Sequence, residues 1–391
     1  MTEISILYER SETDELGIRY TAEQQGIPLS FLPFHKVSMG IVGGEFRYRS
    51  VGRDLKGRLE ETKVVINRTQ GKHRRIAAAT LLEGCGKEVL NPLQVEMFCQ
   101  RKTWTMIRFW QNGVEVPDTV YIPCDVHDAV RGGGTHDNSE SIMKLIHEEL
   151  GEKVVLKSDE GTHGKGIYLA TDRLALGEAL QRIEPSVINP TGVVAQTYVN
   201  KWFYDLRIVV EKHGGGEAFC HPTAMARGGF KDFRTNTFLG NMVFRVELPR
   251  GVMAEAVKCG EALGKEKKAY VIALDAMPCF SKPVDEVREQ LTPSFTELEG
   301  FFDRVVKAKQ TKQDDFGYYT EQVEDAYDRY MSSEPYSEIQ SAITASLNEA
   351  EDSVLFHEAN ACPDFWEQTR VVGGVDIASS LLSCAQSILD S

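Results

Sequence analysis

No run of about 18 apolar residues occurs anywhere in this 391-residue sequence, so no segment reads as a membrane-spanning helix. The opening stretch MTEISILYERSETDELG lacks a basic region followed by a long apolar core, which argues against a secretory leader. The eight cysteines form no CxxC pair, which argues against a zinc ribbon or a disulfide scaffold. A reduced, cytoplasmic protein is the expectation. Basic excess is also missing. The net charge is −14, and a nucleic-acid binder would need clustered Lys and Arg to meet phosphates. The acidity is localised: Ser281 to Asp352 holds 17 acidic against 7 basic residues, which sets that segment apart.

What is present is ordinary for a globular protein, with 42% hydrophobic and 26% charged residues. A chain of this length exceeds the roughly 250 to 300 residues at which a single core stops growing, so two or three domains are expected. Early on, short apolar runs (ISILYE, PLSFLPF, KVVINR, KEVLNP) alternate with helix-length stretches such as RRIAAATLLEGCG. That alternation predicts a parallel α/β domain over residues 1–91. Residues 92–200 follow, with a helix stopped at Asn112-Gly113, the strand–glycine loop–strand run KVVLKSDEGTHGKGIYLA and the strand GVVAQTYV. Residues 201–391 carry alternating strands, from DLRIVVEK to SVLFHEAN, interrupted by the acidic stretch 281–352.

Three places suggest chemistry. In HEANACPDF, Glu358 and Asn360 stand two apart on an extended strand, so both project to one side and offer oxygens to a single hard cation. Asp275 closes the strand VIALD. Lys157 ends VVLK directly before DEGTHGKG, where Gly161, Gly164 and Gly166 with Lys165 form a loop able to close over phosphates. Each has a plainer reading: a strand end, a turn, or, for Lys102, a surface lysine.

Their order resembles the ATP-grasp superfamily, and more closely the RimK/LysX-type carboxylate–amine ligases. The matching stretches run colinearly from residue 64 to about 378: VINRTQGKHRRIAAATLLEGCGKEVLNP, Lys102 with VEVPDT, VVLKSDEGTHGKGI, QTYV, YDLRIVV, AMARGGFKDFRTN, VIALD, EANACP and GGVDIA. The resemblance implies two antiparallel subdomains sandwiching ATP behind an N-terminal pre-ATP-grasp domain. It implies ATP contacts from Lys102, Lys157, the loop Gly161–Gly166, Gln196, Thr197, Tyr198, Val199, Asp205, Arg234 and Asn236. Asp275, Glu358 and Asn360 would hold Mg2+, two ions in all, with Mn2+ as an alternative. Arg227, Lys165 and Arg234 are the implied catalytic cations. The implied reaction couples a small-molecule carboxylate to an amine, an amino acid or peptide in one role, in a homo-oligomer without nucleic-acid or membrane partners. Rivals are a glutamate ligase acting on a protein tail, peptide or cofactor, and a nucleotide-regulated binding protein without turnover.

Two departures qualify the resemblance. Asp275 and Glu358 stand 83 positions apart, where the family has about a dozen, and the added segment carries helical stripes such as Phe295, Leu298, Phe302 and Val305. It reads as about three amphipathic helices. A functional reading makes it an acidic cap that selects a cationic substrate or docks a basic partner; the simpler reading makes it a solvated decoration or dimer arm. The family's substrate-side glycines are also replaced, by Leu239-Gly240-Asn241 and by Pro363-Asp364-Phe365-Trp366. Glutamate is therefore not carried over as the substrate.

Overall fold

A computed structural model describes residues 2–52, 55–123, 127–130, 134–161, 166–183, 192–311 and 314–391. The N-terminal layer is a parallel sheet ordered β2-β1-β5-β6, built from β1 (Ile4–Tyr8), β2 (Leu29–Pro33), β5 (Val64–Arg68) and β6 (Glu88–Leu90). Helices α1 (Thr13–Gln25), α2 (Lys56–Glu61) and α3 (Lys72–Gly84) connect its strands. All five residues of β5 are buried, as a parallel strand covered on both faces requires. A hairpin not anticipated from the sequence, β3 (Val37–Val42) with β4 (Glu45–Ser50), projects from this layer, turning through Gly43-Gly44, both at positive φ.

The single helix expected before Asn112 is two helices, α4 (Leu93–Gln100) and α5 (Lys102–Gln111), separated by extended Arg101. The central antiparallel sheet, ordered β11-β10-β12-β7, comprises β7 (Thr119–Ile122), β10 (Val154–Ser158), β11 (Ile167–Ala170) and β12 (Val193–Thr197). Strands β8 (His127–Val130) and β9 (Gly134–Asp137) pair separately. Helices α6 (Ser139–Leu150) and α7 (Arg173–Ile183) cover one face of the central sheet, packing on Val154, Leu156, Val193 and Ala195. Strand alternation turns Val155, Lys157 and Gln196 to the other face.

The third sheet is antiparallel, ordered β16-β15-β13-β17-β18 with β14 beside β13. Its strands are β13 (Tyr204–Lys212), β14 (Phe219–Cys220), β15 (Thr223–Gly228), β16 (Met242–Glu247), β17 (Tyr270–Pro278) and β18 (Val354–Asn360). Helix α8 (Arg250–Gly264) packs behind it. Between β17 and β18 come α9 (Asp285–Lys309), α10 (Phe316–Met331) and α11 (Glu334–Glu349), and the chain ends with α12 (Gln368–Val371) and α13 (Ile377–Leu389). Helix α13 lies between the parallel and third sheets, burying Leu381, Leu382 and Cys384 against Ile6, Ile66, Val209 and Val271. No helix among the described residues is long and apolar enough to cross a membrane.

The three inserted helices correct the expectation of a solvated decoration. Phe295, Leu298, Phe302 and Val305 are buried as their stripe predicted, and they share one continuous core with Leu206, Phe244 and Leu274 of the third sheet. Polar ties reinforce the seam: the Tyr330 hydroxyl donates to the Val243 carbonyl at 2.9 Å, and the Arg245 amide donates to the Tyr336 hydroxyl at 2.8 Å. Acidic residues dominate the segment because its outer faces are wet; its inner faces are a domain core. Ile343→Ala, fully inside that core, is accordingly expected to cost about 2–5 kcal/mol in denaturant unfolding, the scale of a core truncation. An unchanged midpoint would return the segment to the status of an appendage.

Candidate functional site

The cleft-facing side of the third sheet carries a row of charges set by register. Asp205 on β13 stands opposite Arg227 on β15, Arg207 on β13 opposite Asp275 on β17, and Asp275 opposite Glu358 on β18. Because side chains alternate, Asp205 and Arg207 share a face, and so do Glu358 and Asn360. Arg227 binds Asp205 through Nε and a terminal nitrogen at 2.9 and 3.0 Å, and Arg207 binds Asp275 in the same bidentate way at 3.0 and 3.1 Å. Arg227 also reaches Asp275 at 3.2 Å. Arg207 thus pairs across strands with Asp275. Burial alone would raise both carboxyls, but the guanidiniums of Arg207 and Arg227 hold Asp275 below the ordinary carboxylate range, and Arg227 with Lys201 does the same for Asp205.

A β-bulge follows the Asp275–Glu358 pair, so His357 has no cross-strand partner. Both its ring nitrogens are buried without hydrogen bonds, and desolvation with nearby Lys157 lowers its pKa to about 4. Asn360 Nδ2 is likewise buried and unpartnered.

The central sheet and α5 close the opposite side. Lys157 is 6% exposed, and its ammonium donates to Gln196 Oε1. Gln196 is itself anchored by its Nε2 to Thr119 Oγ1 at 3.0 Å. Burial, then the proximity of Lys102, lowers Lys157 to about 8. Lys102 opens α5, donates to the Gly161 carbonyl at 2.7 Å and stands 3.8 Å from Glu358. Asp159 fixes this junction by accepting from the Thr103 amide and hydroxyl, both at 2.9 Å. Lys102 and Lys72, from the start of α3, hold Glu358 low against the opposing effect of its burial.

One cleft of about 1440 Å³ collects Lys102, Lys157, Gly161, Gly166, Asp205, Arg227, Asn236, Asp275, Glu358 and Asn360. That volume exceeds the roughly 300–1,000 Å³ of an ordinary ligand pocket. Other anticipated residues fall elsewhere. Thr197, Tyr198 and Val199 follow from the end of β12, with the Thr197 and Tyr198 amides already donating to the Asp118 and Lys153 carbonyls at 3.0 and 3.1 Å. Arg234 pairs with Asp232 and is not in the cleft wall. Gly164 and Lys165 lie outside the described residues.

The sequence reading missed Lys72, His357, Asp159 and Lys201. Lys201, 9% exposed, donates to Thr235 Oγ1 at 2.7 Å, and burial lowers it to about 8. The one signal for Lys201 was a lysine just past an apolar strand, which is common on any surface.

Across solved structures, the D-cycloserine synthetase DcsG matches 99% of this chain and 99% of its own, with a TM-score of 0.57 at 12% identity. The ATP-grasp ligase PsnB complexed with its minimal precursor covers 100% and 99% at 0.54 and 12%. The VanG D-Ala:D-Ser ligase from Enterococcus faecalis covers 98% and 98% at 0.55 and 11%. This chain has the ATP-grasp fold. The cleft between the central and third sheets is therefore the cleft of an ATP-grasp fold, with the pre-ATP-grasp layer at its N-terminal side. No protein-family model matches the sequence. N-acetylaspartylglutamate synthase A from Mus musculus is 28% identical over 186 residues, 47% of this chain and 43% of that protein. Beta-citrylglutamate synthase B from Danio rerio is 32% identical over 97 residues, 25% and 21% of the two chains. The chain thus spans less than half the length of these curated relatives.

Two buried lysines, Lys157 in the cleft wall and Lys201 beneath Thr235, yield a pH test. Lys157 and Lys201 release their protons near pH 8 when folded, whereas an unfolded lysine holds its proton to about 10.4. Between about pH 8 and 10 these two lysines bind more protons in the unfolded chain, so their own contribution to stability rises with pH across that window, opposed by the buried thiols of Cys99, Cys220, Cys259, Cys362 and Cys384, which burial holds protonated in the fold. The denaturant midpoint of Lys201→Met should therefore fall further behind that of the wild type as pH rises through this window. Equal slopes would show that Lys201 keeps its charge in the fold.

Proposed function

We propose that this protein is an ATP- and Mg2+-dependent ligase that joins a carboxylate to an amine through an acyl phosphate. The observation that carries this reading is the register of β17 with β18, which sets Asp275, Glu358 and Asn360 on one face of the sheet, across the cleft from Lys102 and Lys157. Three supporting lysines, Lys72, Lys102 and Lys157, give the cleft the charge that a triphosphate requires.

The donor set fits a hard divalent cation. Glu358 and Asn360 offer oxygens two residues apart, and the buried, unpartnered Nδ2 of Asn360 is a donor placed for an anionic oxygen such as a phosphate's. Asp275 contributes a third oxygen donor, shared with Arg207 and Arg227. Among the described residues no three His, Cys, Asp or Glu side chains cluster as a metal site, so the carboxamide is essential to the set. Mg2+ bound there would neutralise phosphate oxygens.

The chain's own residues supply the rest. Lys102 and Lys157 hold the phosphates beside Gly161 and Gly166, the latter at φ +67°, a conformation that favours glycine. A substrate carboxylate oxygen attacks the γ-phosphorus and ADP departs. Arg227 and Arg207, pre-organised by Asp205 and Asp275, stabilise the negative charge of the acyl phosphate. The amine nitrogen then attacks the carbonyl carbon, phosphate leaves, and the amine's proton passes to solvent or phosphate. No protein nucleophile takes part. That PsnB is an ATP-grasp ligase complexed with a minimal precursor, and that N-acetylaspartylglutamate synthase A is named for a compound joining aspartyl and glutamate units, supports amide formation with an amino acid or a peptide as a partner.

The test is ADP and phosphate release with ATP and Mg2+ over a panel of carboxylates and amines, with product masses recorded. A product equal to both substrates minus water is expected. Glu358→Gln should lower kcat by at least about 100-fold, the scale of losing one electrostatic stabiliser, without shifting Tm. Lys157→Met should chiefly raise the KM for ATP. Wild-type ADP formation in Glu358→Gln would remove Glu358 from the site.

A further inference from the structure

The same cleft continues past the phosphate-binding lysines into a compartment walled by the inserted helices. Phe302, Val306 and Lys309 of α9 all line it, at the i, i+4 and i+7 spacing of a single helical face. Opposite stand the start of α1, Arg68 at the end of β5, and the segment Asp364–Gln368. Lys309 ties the two walls together through Glu367 at 2.8 Å, and Glu367 also accepts from the Tyr319 hydroxyl of α10.

The two ends of the cleft differ in charge. At this end Glu12, Asp14, Glu15, Asp364 and Glu367 outnumber Arg68 and Lys309, and Arg75, also in the wall, is held by Glu96 at 2.9 Å. Arg68 and Lys309 are engaged too: Arg68 by Asp14 and Glu15 at 3.0 Å each and by the Pro363 carbonyl at 3.1 Å, and Lys309 by Glu367. An incoming anion finds no free positive charge there, whereas the exposed carboxylates Glu12 and Asp364 favour a cation. Val306, 40% exposed inside the cleft, and the neighbouring face of Phe302 offer an apolar surface.

We propose that the inserted helix α9 forms the specificity wall of the amine compartment, and that this compartment receives a primary α-amine bearing an apolar side chain. This rests on the ligase reading above and gives the insertion its role. The acidic surfaces of α10 and α11 face outward; what the insertion presents to the substrate is Phe302 and Val306. An ammonium enters along the exposed carboxylates Glu12 and Asp364, the apolar side chain lies on α9, and the carboxylate substrate is left to the lysine end beside the phosphates.

The experiment is a binding titration, followed by tryptophan fluorescence and by calorimetry, with L-phenylalaninamide as the amine probe and N-acetyl-L-phenylalaninamide as its uncharged counterpart. The amine is expected to saturate and the acetylated probe to bind at least about tenfold more weakly, a difference of 1.4 kcal/mol. Val306→Arg, at an exposed position that should not disturb folding, is expected to weaken the amine at least about tenfold and to leave the Kd for ATP unchanged. Val306→Ala should weaken it about threefold, the effect of lost apolar contact. The tripeptide amide Phe-Gly-Gly-NH2 separates sources: tighter binding assigns the compartment to a peptide amino terminus, weaker binding to a free amino acid derivative, and both support the amine. No saturation by about 10 mM, equal binding of the acetylated probe, or an unaltered Kd in Val306→Arg each overturns the proposal. Because binding is read without turnover, amine binding with a silent ligase panel would sink the reaction assignment alone, and amide formation with unaltered Val306→Arg binding would sink the compartment alone.

Discussion

Across the third sheet, buried guanidiniums and carboxylates alternate strand by strand: Arg227, Asp205, Arg207, Asp275. Taking such charges out of water costs several kcal/mol each, and only close bidentate pairing offsets that cost. The pairing in turn demands one register of β15, β13 and β17, because a slip of one residue would turn every charge into the apolar back face and every apolar residue into the cleft. The polar floor of the site and the hydrophobic core behind it are thus two consequences of one strand register. Asp275 also stays ionised, as a cation ligand must.

This constraint explains why the inserted helices are tolerated between β17 and β18. The two strands that must be adjacent are joined by 75 residues of other structure, yet their pairing is as regular as in a hairpin apart from the bulge at His357. A long connection raises the closure entropy only slowly with length. Helices α9 to α11 more than recover it by extending the core over Phe244 and Tyr204. The insertion also closes one end of the cleft, so the element that stabilises the third sheet shapes the substrate side.

The cleft itself is held by contacts between sheets that are remote in sequence. Asp159, from the loop after β10, caps the start of α5; Gln196 on β12 fixes the Lys157 ammonium; Lys102 spans from the glycine loop to Glu358. Burial, and then the neighbouring Lys102, lowers Lys157, and an anionic phosphate beside both lysines would favour their charged forms.

Much of this was legible in the residues alone. Period-two strands, the glycine loop after Lys157, the Glu358/Asn360 spacing and the helical stripe of Phe295, Leu298, Phe302 and Val305 are local patterns, and local geometry fixes which side chains share a face. The colinear order of these motifs carried the fold. What the sequence did not hold is partnership. Arg207 pairs with Asp275 on the neighbouring strand, Lys72 joins the cleft from the N-terminal layer, Lys201 is buried against Thr235, and an acidic segment turns an apolar face inward, all through contacts between residues far apart in the chain. Burial and pairing are properties of the packed molecule: desolvation, not residue type, decides which lysine is a site lysine, and only the assembled sheets determine what is desolvated.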